Sequence, residues 1–401
     1  MLKSALPFFF LVPCITSIAF CLFSIRSAAV FFSKKGSVDP AFAPPVSVLR
    51  SVCGVEAGTY ENLASFCRQD YPQFQILLAV HDPQDPAVPL IRRLIRDFPG
   101  VDLQLFLCPR AMGTNPKVSN LMQMEPKARH PFLLVCDSDV RVEPDTLRRV
   151  IQPMAEPKVG AVTCMCRSQG LGWISTFEAL REATEFCPGV LAAHRLEGMK
   201  FGLGSAILVR RTALDRIGGL ASIADYLADD FLLGNRIAGA GCEVVLSDAV
   251  VEHHLSLNGL GSLAQRQLRW NRGIRVSRPW GYRGLLFTYG VPMSLLFLAA
   301  SGASTFAWGV LAATWAARLS MAHAVGARGL RASAARRFLW LVPVQDLFSF
   351  TLWCAGLFGR TVRWRGRLFR LAGSGKLVPA GGPPPDFSAL YDEATITAAA
   401  Q

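Results

Sequence analysis

Charge is scarce in this 401-residue sequence: Asp, Glu, Lys and Arg together make up 18% of it, against about 25% in ordinary soluble domains. With 51% apolar residues, that shortfall implies contact with a membrane. Several chemistries are also missing. No glycine-rich phosphate loop is present, because Gly202-x-Gly204 lacks the following glycine and lysine. No Ser or Cys sits in a nucleophile elbow. The 11 cysteines follow no framework spacing, and Cys164-x-Cys166 lacks the second pair a zinc site requires. They read as core filler in a reducing cytosol. No internal repeat is visible. The formal net charge is +13, which would suit nucleic acid, an anionic lipid surface or a phosphorylated substrate. Its distribution decides: Arg336, Arg337, Arg360, Arg363, Arg365, Arg367 and Arg370 flank apolar segments, as at cytoplasmic membrane borders. No continuous basic face for nucleic acid is implied.

Ala5 to Ile25 is almost unbroken apolar sequence, long enough to span the hydrocarbon, and Lys34 and Lys35 follow it. Residues 1–32 are therefore expected to be an uncleaved anchor that leaves the next domain in the cytosol. Pro44-Pro45 marks a linker. Residues 44–282 alternate strand-like runs (46–49, 75–80, 103–107, 131–136) with helical ones (61–67, 88–97). That alternation predicts an α/β domain with a mostly parallel sheet, whose ligands bind beyond the carboxyl ends of its strands. Residues 284–372 read as membrane or interfacial helices. Gly284 to Ala317 carries no charge and is expected to break near Pro292 or Ser301-Gly302. Phe338 to Phe358 is apolar except for Gln345 and Asp346, with Arg-rich flanks on both sides that favour a re-entrant segment. Asp346 is either functional or salt-bridged to an Arg. Residues 373–401, rich in Gly, Pro and Ala, are expected to be a loosely ordered tail.

Four clusters carry chemistry. Asp137-Ser-Asp139 ends the strand at 131–136, and its carboxylates suit Mg²⁺ or Mn²⁺, although Asp is also common in polar turns. Asp82 and Asp85 end another strand, where Asp85 also suits a helix cap. Asp229 and Asp230 are adjacent carboxylates that raise each other's proton affinity, as a general base requires, or else a helix start favoured by the dipole. Arg266 and Arg269 share a helical face able to grip a diphosphate, with Trp270 for stacking, or else form a basic helix at a membrane surface. Lys117 and Asn120 add a cation and an amide upstream. His253-His254 point apart on a strand, which favours structural or acceptor-lining roles over metal binding.

In this order the clusters resemble family 2/21 glycosyltransferases, in particular the ceramide glucosyltransferase branch. The resemblance runs from about Val46 to Tyr282 through Gly54-Val-Glu-Ala-Gly, Asn62-Leu, Asp70-Tyr-Pro, Asp82-x-x-Asp85-Pro-Ala, Asn115-Pro-Lys-x-x-Asn-Leu, Cys136-Asp-Ser and Arg266-x-x-Arg-Trp. One departure is Leu49-Arg-Ser-Val-Cys-Gly, where the branch has Lys-Pro before the glycine. The resemblance implies a GT-A type nucleotide-sugar-binding domain with N- and C-terminal membrane helices. It implies uridine contact by Asp82, metal binding by Asp139 with Asp137, and Asp230 as catalytic base beside Asp229. Arg266, Arg269 and Trp270 would hold diphosphate and acceptor. The expected reaction is inverting transfer of a hexose from a UDP-sugar, UDP-glucose first and UDP-N-acetylglucosamine second. The acceptor is a membrane lipid, ceramide-like or else a hopanoid polyol such as bacteriohopanetetrol. The Ala- and Arg-rich composition and Arg278-Pro-Trp-Gly-Tyr suggest a bacterial inner-membrane enzyme facing the cytosol. A processive polysaccharide synthase has more membrane helices, and a non-catalytic lipid-binding protein predicts loss of an acidic position; none is lost.

Overall fold

The computed structural model describes residues 2–34, 36–364, 366–382 and 386–387. The chain forms two compact units. The first is Met1–Lys34, Arg167–Gly198 and Leu255–Gly366; the second is Lys35–Cys166, Met199–His254 and Arg367–Gln401.

The second unit is built on one sheet. Its strands are β1 (Val46–Val52), β2 (Phe74–Val80), β3 (Asp102–Leu107), β4 (Phe132–Cys136), β5 (Val140–Arg141), β6 (Val159–Gly170), β7 (Ala206–Arg210) and β8 (Glu243–Leu255). Their order is β3-β2-β1-β4-β7-β6-β8-β5. β3, β2, β1 and β4 run parallel, with Val48 opposite Ile76 on one side and Leu134 on the other. Helices Thr59–Cys67 and Ala87–Asp97 connect β1 to β2 and β2 to β3 at nearly the expected positions. β1, β2 and β4 are buried on both faces, as a helix-covered sheet requires, while β3 at the sheet edge alternates; Val48, Ile76, Leu78 and Leu134 share one buried cluster with Leu63, Phe66 and Ile91. Beyond β4 the sheet departs from the expected parallel pattern. β4 pairs antiparallel with β7, β7 with β6, and β5 with β8. The mixed order matters for function, since β5 pairs Val140 with His253 and so sets the turn after β4 against β8.

The first unit is helical. Its N-terminal helix, Leu2–Ser33, contains the span Pro7–Ser33, long and apolar enough to cross a membrane. Thr16 and Ser17 hydroxyls donate to the Phe287 and Thr288 carbonyls, both at 3.2 Å, as small polar residues do between packed apolar helices. The uncharged segment after Gly284 breaks at Ser301–Ser304, between helices Gly290–Ala300 and Thr305–Met321. Pro292 is absorbed in the first turn of Gly290–Ala300, where no amide hydrogen is needed. That helix is bent by 59° from Pro279–Thr288. Helix Val342–Gly356 has 15 residues, about 22 Å of rise, too short for a plain crossing of a hydrocarbon layer about 30 Å thick. Asp346 on it accepts from Arg318 Nε at 2.9 Å and Nη2 at 2.7 Å, so the salt-bridged alternative holds.

The expected loose tail is corrected in part. Arg367–Leu371 and Leu377–Pro379 form an antiparallel strand pair. Residues 383–385 and 388–401 of that segment lie outside the described residues.

Candidate active site

Three acidic residues of the second unit, Asp137, Asp229 and Asp230, gather around one ammonium group. Asn115 caps helix Pro116–Met124 by accepting from the Lys117 and Val118 amides, and Pro116 fills the first helical position. This fixes Lys117 at the helix start. Its Nζ lies 2.7 Å from Asp137 Oδ1, in the turn after β4, and 3.2 Å from Asp229 Oδ2. The Asn115 amide donates to the Tyr226 carbonyl at 2.8 Å and to Asp229 Oδ1 at 3.3 Å. Asp229 and Asp230 open helix Asp229–Gly239, and Asp230 Oδ1 accepts the Phe231 amide at 2.8 Å.

Gly204 explains how these groups approach. A Cβ there would lie 2.9 Å from Asp230 Oδ2 and 3.3 Å from Asp137 Oδ2, so only glycine lets both carboxylates face the same space. Burial, and then Asp229, raise the Asp230 carboxyl to about 6, against the opposing pull of Lys117. A carboxyl at that value is ionised at neutral pH and still basic enough to take a proton. Burial alone would pull the Lys117 ammonium down. Asp137, Asp229 and Asp230 more than reverse this, so it stays charged.

Asp139 faces β8: its Oδ2 lies 3.2 Å from His253 Nε2, and its carbonyl accepts the His254 amide at 2.9 Å. The side chains of Asp137 and Asp139 are 38% and 37% exposed. The two accessible carboxylates offer oxygen ligands of the kind Mg²⁺ and Mn²⁺ take, while Asp137 also carries the Lys117 ion pair and Asp139 the His253 contact. Beneath them lies Arg50, fully buried on β1. It donates to the Asp137 carbonyl at 2.7 Å, the Val140 carbonyl at 2.9 Å and the Asn62 carbonyl at 2.9 Å. The departure from Lys-Pro thus places a guanidinium that holds the Asp137–Val140 turn.

Other expected residues sit elsewhere. Asp82 accepts from the Gln84 amide at 2.9 Å, within its own turn. Asp85 accepts the Gly54 amide at 2.9 Å and the Ala87 amide at 2.8 Å, tying two loops at the ends of β1 and β2. Asn120 is buried and donates to Ser51 Oγ at 2.9 Å, a bond between helix and sheet. In the first unit, helix Leu260–Ser277 carries the Arg-x-x-Arg-Trp run. Trp270 is flanked by the guanidiniums of Arg266, 4.6 Å from its ring, and Arg181, 5.1 Å away. Arg266 also lies 3.5 Å from Glu182 in the π-turn Glu182–Phe186. Arg269 stacks instead over Trp364 at 5.6 Å, so the two arginines take different partners. Gln267 donates to Glu178 at 2.6 Å, and Glu178 holds Arg181 at 2.8 Å. Arg50, Asn115, Gly204 and His253 stand in segments that the sequence analysis quotes without assigning them to this site. A charge inside an apolar strand and an Asn-Pro helix start were the available signals for the first two.

Comparison with known proteins shows the family and the fold. The chain matches glycosyl transferase family 21 over residues 9–377. It is 29% identical over 234 residues to ceramide glucosyltransferase 1 of Caenorhabditis elegans, covering 56% of this chain and 50% of that protein. To ceramide glucosyltransferase 3 of the same organism it is 25% identical over 386 residues, covering 90% and 81%. The chain thus spans half the length of the first relative and most of the second. Among solved structures, the mannosyltransferase PcManGT of Pyrobaculum calidifontis, in complex with GDP-Man and Mn²⁺, aligns with a TM-score of 0.51 at 19% identity. The alignment covers 86% of this chain and 99% of that one. The fold is therefore α/β of the GT-A type, and the protein, a glycosyltransferase, belongs to glycosyl transferase family 21.

Proposed function

We propose that this glycosyltransferase moves a hexose, glucose first, from a UDP-sugar to the hydroxyl of a ceramide-like membrane lipid, with inversion. The observation that carries the reading is the Asp230 carboxyl, raised to about 6 and set beside the Lys117 bridge between Asp137 and Asp229. Asp230 takes the acceptor hydroxyl proton as the oxygen attacks the anomeric carbon. Asp229 keeps Lys117 in place, and Lys117 meets charge that develops on the departing diphosphate. Asp137 and Asp139 would hold Mg²⁺ or Mn²⁺, which supplies positive charge toward the same diphosphate. Asp82 contacts the uridine, and Arg266, Arg269 and Trp270 keep the diphosphate and acceptor roles that their motif implies. The apolar span Pro7–Ser33 anchors the chain in a bilayer, where a lipid acceptor resides, with the sheet-bearing unit on the cytosolic side.

The test is product analysis with purified full chain, Mn²⁺ or Mg²⁺, and UDP-glucose or UDP-N-acetylglucosamine, against ceramide and bacteriohopanetetrol separately. The expected product is glucosylceramide, lost with EDTA and reduced at least about 10³-fold in Asp230→Asn. Product on bacteriohopanetetrol alone would reassign the acceptor. No product with either donor, together with no UDP binding, would end the enzymatic reading.

A further inference from the structure

The loop leading into the Asp229–Asp230 pair has little structure of its own. It runs between the short helical turn Leu220–Ile223 and helix Asp229–Gly239. One side of it is held by the Thr114–Asn115 corner. The Asp225 carboxylate accepts the Thr114 amide at 3.0 Å, and Asn115 donates to the Tyr226 carbonyl. The other side is held by the C-terminal strand pair, almost 150 residues away in sequence. The Leu377 amide donates to the Asp225 carbonyl at 2.7 Å, and the Leu227 amide donates to the Gly375 carbonyl at 3.3 Å. Tyr226 and Lys376 form an antiparallel bridge between them, and the Lys376 ammonium lies 5.6 Å from the Tyr226 ring.

The strand pair is itself stiffly built. Its turn is closed by the Ala372 amide donating to the Lys376 carbonyl and the Gly375 amide to the Ala372 carbonyl, both at 2.9 Å. Gly375 has φ +83°, which an L-residue adopts at a cost. Phe369, Leu371 and Leu377 are buried, which by itself would suit mere packing. Packing does not explain why the backbone donors and acceptors of residues 375–377 are used on the loop before Asp229.

We infer that the C-terminal strand pair is a positioning element of the transfer site: residues 375–377 fix the Asp225–Leu227 loop and thereby the placement of Asp229 and Asp230. This rests on the proposed transfer reaction. A carboxylate displaced by an ångström from its partner atom slows a reaction by about 100-fold, so the register of this loop sets turnover.

Leu377→Pro deletes the donor to Asp225, and Leu377→Ala removes the buried side chain while keeping the amide. Both remove the leucine side chain, and Leu377→Pro alone also removes the amide donor and fixes the local φ. The expected result is a kcat for Leu377→Pro about 10–100-fold below that of Leu377→Ala, with KM for the UDP-sugar changed less than threefold. Amide hydrogen exchange over residues 225–231 should be faster in Leu377→Pro alone, while β1 and β4 amides keep their protection. If Leu377→Pro does not fold, Gly375→Ala, strained at its positive φ, replaces it. Gly373→Ala is then the comparison, since a Cβ at Gly373 meets nothing within 4 Å. Equal kcat and equal exchange within either pair overturn the inference. If the wild type transfers no sugar, the proposed function fails first, and the exchange comparison decides the positioning claim alone.

Discussion

Asp230 should reduce stability at the pH where it works, and Asp230→Asn should reveal by how much. Its carboxyl rises from an ordinary 3.8 to about 6, chiefly through burial and then through Asp229. The folded value lies above the unfolded one, so folding favours the protonated form. Below pH 4 both states carry the proton and the group is neutral to stability. As pH rises through about 6, the folded protein must ionise a group that the unfolded chain ionises more easily, and stability falls. Roughly 2 units at 1.36 kcal/mol each give about 3 kcal/mol as an upper bound. Partial exposure to solvent reduces this to about 1–2 kcal/mol. At roughly 2–4 °C per kcal/mol, Asp230→Asn should melt about 2–8 °C above the wild type at pH 8 and only about a third as far above it at pH 4.5, where the unfolded carboxyl has already begun to ionise. Thermal melts of detergent-solubilised protein in EDTA, followed by tryptophan fluorescence, measure this difference. A gain that is the same at both pH values, or larger at the lower, would refute the reasoning. The same ionisation predicts that wild-type kcat falls tenfold per pH unit below about 6, so the variant gains stability by losing its base.

Two other perturbations test the scaffold. Arg50→Leu strips three backbone carbonyls of their donor and should destabilise by about 3–5 kcal/mol, lowering the melting temperature at every pH; an unchanged melt would mean that the Asp137–Val140 turn holds itself. Arg318→Ala or Asp346→Ala each leaves a buried charge without its partner and should cost about 3–5 kcal/mol, whereas the double replacement Arg318→Met with Asp346→Leu should restore most of it. Additive losses in the double variant would show that the pair is not the source of the effect.

How legible this protein was in its sequence depends on the range of the forces involved. β1 to β4 and their helices follow from local patterning, since apolar runs between turn residues leave little choice. Asp137, Asp139, Asp229 and Asp230 were legible as strand-end and helix-start acids. The antiparallel half of the sheet was not, because pairing of β4 with β7 and of β5 with β8 joins segments about 70 to 110 residues apart, and nothing local encodes it. Lys117 was legible as a candidate nucleotide-sugar-binding cation; its bridging position depends on three segments meeting. Gly204 was set aside as an incomplete phosphate loop, although its role is steric. The stretch at 373–382 was misread because small and polar residues suggest disorder, while Leu377 and the turn at Gly375 are fixed by a distant loop.

Net charge shows the same gap between composition and placement. The first unit holds 20 Lys and Arg against 5 Asp and Glu, a charge of +15, so the whole-chain +13 leaves −2 on the second. The basic excess therefore belongs entirely to the unit with the apolar helices, and the sheet-bearing unit is close to neutral. In the proposed reaction a nucleotide sugar would bring a diphosphate to that second unit, whose own residues carry no net positive charge. The charge it meets there is local: the Lys117 ammonium, held 2.7 Å from Asp137 and 3.2 Å from Asp229, and any divalent ion on the carboxylates. Local cations balanced by acids bind weakly until a ligand brings its own negative charge, and they respond to charge that moves during transfer. A broad basic surface would instead grip any polyanion, substrate or not. The partition of charge thus argues against nucleic acid more strongly than the composition alone did, and under the proposed function selectivity for a diphosphate would depend on a few placed groups.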